Sequence, residues 1–268
     1  MADEEALIRH TAISNLVQLD PNERIKLLTP LLYDPVKAVR IQTARDLTQV
    51  PPELLNTEEE KIFQANLRDY QKAMEYAADF SHARMNLGNM YVNLRRFDLA
   101  EKHYKAAFQI DKLFYPAKVN LAMLYNRMGK NDEAEKLFRE VVETNPELHE
   151  TSYSLGLLLV EQKKYYEAVQ YLKNAAKGLP NRARIHYNLG LLLQQLREYA
   201  EAEASLLRAL EIEPDSMDYL HAVADYYIKR SKFREAKAIV EQMISKHPSK
   251  IIGHDLLKYI NRALKEND

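Results

Sequence analysis

A spacing of 34 residues governs this chain. Pro146, Pro180, Pro214 and Pro248 follow one another at that interval, Gly156 and Gly190 share it, and Gly88 lies two intervals before Gly156. A fixed period of this length means that one supersecondary unit recurs and buries its apolar face against its neighbours. With Ser81 as position 1, five units result: 81–114, 115–148, 149–182, 183–216 and 217–250. Only 6 glycines and no tryptophan occur among many Leu, Ala, Glu and Lys residues, a balance that favours helices over tightly turned sheets. The chain is therefore expected to be all-α.

Each unit reads as two antiparallel helices, with small residues where two backbones approach closely. Position 8 is Gly88, Ala122, Gly156, Gly190 and Ala224, and position 20 is Ala100, Ala134, Ala168, Ala202 and Ala236. Large partners fill the core at position 7 (Leu87, Leu121, Leu155, Leu189, Val223) and position 24 (Tyr104, Phe138, Leu172, Leu206, Val240). Phe97, Tyr165, Tyr199 and Phe233 open the second helices, a series broken by Asn131. The recurring proline stops the second helix because it lacks an amide hydrogen. Lys112 replaces it in the first unit, which predicts a longer second helix there or a different path towards Pro116.

The pattern over 81–250 resembles the tetratricopeptide repeat family, whose Leu-Gly-x2-Tyr, Ala-x3-aromatic and terminal Pro marks stand here as Leu87, Gly88, Tyr91, Ala100, Tyr104 and Pro146 onwards. The family's tryptophan at position 4 is absent. This likeness implies a right-handed superhelical α-solenoid whose first helices line a concave groove for a protein or peptide ligand.

The ends follow other rules. Residues 251–268 supply a capping helix, with Ile252, Leu256, Leu257, Ile260 and Leu264 on one face. Residues 61–80 read as the second helix of an incomplete preceding unit, behind a 51–60 linker that opens on Pro51-Pro52. In residues 1–50, the run 7–16 echoes 38–47 at an interval of 31, so Arg9 recurs at Arg40; an amphipathic helix around Glu23–Tyr33 and an Asp34-Pro35 turn lie between. This segment resembles short HEAT-like repeats, and its opening on a second helix is what the trimmed end of a longer protein would show. The order of segments resembles the carboxy-terminal part of bacterial multihaem cytochrome c proteins that carry tetratricopeptide repeats. That likeness implies an exported, periplasmic docking or structural module whose haems are bound upstream; without it a cytoplasmic location is expected.

Function is narrowed first by what is missing. With 38 basic against 39 acidic residues, no net field favours nucleic acid or an anionic surface. There is no cysteine, hence no thiolate metal site, cysteine nucleophile or CxxCH haem attachment in the chain. The longest apolar runs are too short for membrane insertion, and Met-Ala-Asp-Glu-Glu opens no signal region. No two of the 8 histidines stand at i, i+4 spacing, and Glu58 to Glu60 suit a helix start. No catalytic, cofactor or metal site is expected.

The informative residues lie on the first helices. Position 6 gives Asn86, Asn120, Ser154 and Asn188; a carboxamide both donates and accepts, so such a row can hold the backbone of an extended peptide. The row resembles the asparagine ladder of O-linked sugar transferase superhelices, and asparagine is also a common consensus choice at this position. Positions 5 and 9 add Met85, Asn89, Met123, Tyr153, Leu157, Tyr187, Leu191, His221 and Asp225. All of these are candidate groove residues: Tyr153 and Tyr187 are expected to face the groove, and for Leu157 and Leu191 packing between neighbouring first helices is the slightly favoured alternative to a place in it. The positive charges of a chaperone-tail clamp are missing: Met85, Asn89, Asn120, Glu150 and Ser154 occupy its places.

Overall fold

The computed structural model describes residues 3–267. Met1, Ala2 and Asp268, at the ends of the first and last expected segments, lie outside them. All regular structure among the described residues is helical. The chain divides into two compact units, Met1–Lys130 and Asn131–Asp268.

The first unit contains α1 (Ala6–Ser14), α2 (Pro21–Leu28), α3 (Lys37–Leu47), α4 (Thr57–Tyr76), α5 (Ser81–Asn93), α6 (Phe97–Ile110) and α7 (Tyr115–Arg127). Asp20 caps α2, accepting from the backbone N–H groups of Asn22 and Glu23. The helix expected over Glu23–Tyr33 stops at Leu28 and tightens into a 3₁₀ turn over Thr29–Tyr33, because Pro30 cannot donate to the preceding turn. The recurring arginines converge on the Asp-Pro turn. Arg9 donates two hydrogen bonds to the Asp34 carboxylate at 2.6 and 2.9 Å, and Arg40 donates to the Asp34 carbonyl at 2.6 Å. The Arg9 guanidinium thereby holds the Asp34 carboxyl below the usual carboxylate range.

A capping box formed by Asn56 and Glu59 starts α4 at Thr57, four residues before the expected start at 61, and the helix ends at Tyr76. It packs against both α3 and α5. Without a proline, α6 is still 14 residues long, the length of its counterparts. Asp111 ends it by accepting the Leu113 N–H at 2.9 Å in a local turn.

The second unit contains α8 (Asn131–Thr144), α9 (His149–Glu161), α10 (Tyr165–Gly178), α11 (Ala183–Gln195), α12 (Tyr199–Ile212), α13 (Met217–Lys229), α14 (Phe233–Lys246) and α15 (Ile251–Asn267). Helices α9 and α10, α11 and α12, and α13 and α14 pack as pairs, and α15 packs on α14. Ala168, Ala202 and Ala236 are wholly buried at the crossings.

The turn within each helix pair uses one left-handed residue, at the same position every time: Arg95, Gly129, Lys163, Arg197 and Ser231, with φ from 56° to 74°. The following N–H bonds a carbonyl five residues back, as in Lys164 to Leu159 at 2.8 Å, which closes the first helix. Only Gly129 adopts this geometry without side-chain strain. Lys163→Gly is therefore expected to raise stability by about 0.5–1 kcal/mol, measured by urea titration.

Ion pairs tie neighbouring repeats within each unit. Lys130 lies 3.7 Å from Glu101, Lys164 2.6 Å from Glu135, and Lys232 2.8 Å from Glu203. Burial pushes the Glu135 carboxyl up, but hydrogen bonds from Lys164 and Arg139 more than offset this and leave it below its ordinary value. A depressed carboxyl contributes stability above its unfolded pKa, and that contribution is lost as pH falls through the folded value.

Candidate peptide-binding face

In the first unit, α5 carries Met85, Asn86 and Asn89, and α7 carries Asn120 and Met123. The first four are half-buried, whereas Met123 is 55% exposed. The Asn86 amide points to the Met74 sulfur at 3.9 Å. Asn89 is the local hub: its Oδ1 accepts from the Tyr104 hydroxyl at 2.7 Å and from the Asn120 amide at 2.9 Å, which uses both lone pairs. Burial raises the Tyr104 pKa and keeps that hydroxyl a neutral donor. Asn89, Tyr104, Asn120, Met123 and Arg127 line a cleft of about 370 Å³, completed by Val92 and Leu124. The result is an apolar recess with carboxamides on one wall and a guanidinium at its edge.

In the second unit, Tyr153 and Leu157 lie on α9, Tyr187, Asn188 and Leu191 on α11, and His221 and Asp225 on α13. The Asn188 amide donates to the Tyr153 hydroxyl at 2.7 Å. Tyr153 is only 8% exposed, and the Arg182 guanidinium sits 5.2 Å from its ring centre while also pairing with Glu150. Burial, more than any neighbour, raises its pKa. Tyr187 is half-buried, 5.1 Å from the Tyr219 ring and 5.5 Å from the Arg184 guanidinium. Asp225 pairs with Lys229 at 2.7 Å, and His221 is exposed.

The expected groove is thus corrected at one residue. Tyr153 has its ring packed against Arg182 and its hydroxyl bonded by Asn188, so it serves packing and offers little surface. Of the two leucines open to either reading, Leu191 is 38% exposed and Leu157 is half-buried. The asparagine row is partly committed to bonds between adjacent first helices, although each carboxamide keeps an acceptor oxygen. Sequence reading missed Arg127 and treated Tyr104 only as core; the polar tip on an otherwise apolar core position was the available signal. Among the described residues, no group of three or more His, Asp or Glu side chains could hold a metal ion, and no helix is long and apolar enough to cross a membrane.

Comparison with known proteins places these helix pairs. A tetratricopeptide repeat family model matches residues 94–153, and the model for anaphase-promoting complex, cyclosome, subunit 3 matches residues 127–209. No curated protein matches the chain. Among solved structures, YrrB, a TPR protein with an unusual peptide-binding site, is 20% identical at a TM-score of 0.59, covering 70% of this chain and 96% of its own. MamA from Desulfovibrio magneticus is 19% identical at a TM-score of 0.57, covering 63% and 96%. PilF from Pseudomonas aeruginosa is 22% identical at a TM-score of 0.56, covering 73% and 88%. At these identities the likeness concerns the fold: an all-α chain of tetratricopeptide-type helix pairs, an architecture of interaction scaffolds.

Proposed function

We propose that the chain is a non-catalytic scaffold whose first helices hold an extended peptide segment of another protein. The observation that carries this reading is the recess between α5 and α7, where hydrogen-bonding carboxamides stand beside the exposed Met123. Amide groups suit a peptide backbone and apolar walls suit alternate side chains, the division of labour by which extended peptides are commonly recognised. In the second unit the corresponding surface is formed by Asn188, Leu157 and Leu191, flanked by Tyr187. The peptide-binding site attributed to YrrB supports the reading by analogy of fold alone.

An array of immobilised peptides tests it. The wild-type chain is expected to bind a subset of the array, and Met123→Glu and Leu191→Glu, each placing a charge on an exposed apolar position, are each expected to weaken that binding at least about tenfold while helicity is retained. Binding that is unchanged in both variants would move the site away from the first helices.

A further inference from the structure

The segment that links the amino-terminal helices to α4 is also a wall. Residues 47–53 and Leu55 bound one side of a cavity of about 810 Å³, whose other sides include Phe63 and Gln64 of α4 and residues 92–95 at the end of α5. Val92 and Arg127 line both this cavity and the smaller cleft between α5 and α7. These two residues are therefore common to the two spaces.

Arg127 is prepared for an anion. It is exposed and lies 5.2 Å from the centre of the Phe97 ring. Stacking on an aromatic face orients the planar guanidinium and leaves its edge donors for a carboxylate, which they can meet in two parallel hydrogen bonds. On one side of it stand the apolar walls Val92, Met123 and Leu124. On the other, within the linker cavity, the Glu60 Oε2 atom is buried and has no hydrogen-bond partner. A buried acceptor and an exposed cation on the lining of one cavity, with an apolar recess next to the cation, are complementary to a short stretch of peptide.

From this juxtaposition we infer that the first unit takes an extended segment in which an apolar residue adjoins a carboxylate. The apolar side chain enters the recess beside Met123, the carboxylate pairs with Arg127, and the chain passes Val92 into the linker cavity, where Glu60 accepts a backbone N–H. The inference rests on the first helices being a peptide-binding face, and it specifies the ligand and assigns the linker a part in holding it. Because the chain continues past Arg127 into the linker cavity, the carboxylate is that of an acidic side chain.

Fluorescence anisotropy with labelled peptides separates the outcomes. The probes are the amidated hexapeptide Gly-Ser-Leu-Asp-Gly-Ser, its counterpart with asparagine for aspartate, and Gly-Ser-Gly-Ser-Leu with a free carboxyl terminus. The aspartate peptide is expected to bind the intact chain at least about tenfold more tightly than the asparagine peptide, and Arg127→Gln is expected to abolish that difference. A free-terminus peptide that gains more from Arg127 than the aspartate peptide does overturns the path through the linker cavity. Glu60→Gln, which replaces the acceptor without adding bulk, is expected to weaken the same peptide about threefold. Equal binding of the aspartate and asparagine peptides, affinity indifferent to Arg127→Gln, or no binding of any probe overturns the inference. If peptide binding by the array is lost in Met123→Glu but insensitive to Arg127→Gln, the binding face is retained and only the acidic specificity falls.

Discussion

Gly190→Leu is expected to lower the stability of the chain by about 3 kcal/mol, read as an earlier midpoint in urea. The close approach of α11 and α12 leaves no room even for a first carbon: a Cβ at Gly190 would lie 2.7 Å from Leu206 Cγ, 2.8 Å from its Cδ2 and 3.1 Å from its backbone nitrogen. A side chain can rotate away, but the backbone of α12 can yield only if the pair separates. Gly156 meets Leu172 Cγ at 2.9 Å with the backbone nitrogen at 3.4 Å, so Gly156→Ala should be the milder change of the two. A wild-type midpoint for Gly190→Leu would mean that α11 and α12 do not pack as described.

Tyr153→Ala is expected to cost about 3–5 kcal/mol, as removal of a buried aromatic ring does, whereas Tyr153→Phe should cost only about 1 kcal/mol by leaving the Asn188 amide without its acceptor. Thermal unfolding of the two variants measures the difference. The contrast matters for function too: lost binding in Tyr153→Ala would report unfolding as readily as contact, while Tyr153→Phe keeps the ring and isolates the hydroxyl. A Tyr153→Ala chain as stable as wild type would return this residue to the exposed face.

The same residues show why some features were legible in the sequence and others were not. Position 8 must be small wherever two backbones touch, so Gly88, Gly156 and Gly190 announced the helix crossings by their spacing alone. The left-handed turn position was silent, because Arg95, Lys163, Arg197 and Ser231 carry no glycine signature and the closing hydrogen bonds force the geometry on them. The ties from Glu101, Glu135 and Glu203 to Lys130, Lys164 and Lys232 recur at a constant offset but cross from one repeat to the next, where a reading confined to single units does not look. Tyr153 misled because position 5 lies at the border of the face: it is packed against Arg182, the last residue of the same repeat, in the turn that leads into α11. For the amino-terminal helices, the echo of Arg9 in Arg40 marked two residues that meet at Asp34, a convergence no linear spacing reveals. The likeness to multihaem cytochromes rests on segment order, a property that packing within the chain does not address.

Hydrogen–deuterium exchange tests the central claim most directly, comparing the free chain with the chain saturated by its best array peptide. Slower exchange in first helices, α5 and α7 of the first unit or α9 and α11 of the second, with α6, α10 and α12 unchanged, is the predicted result. Protection restricted to the second helices, or to the amino-terminal helices α1 and α2, would contradict a binding face built from the first helices.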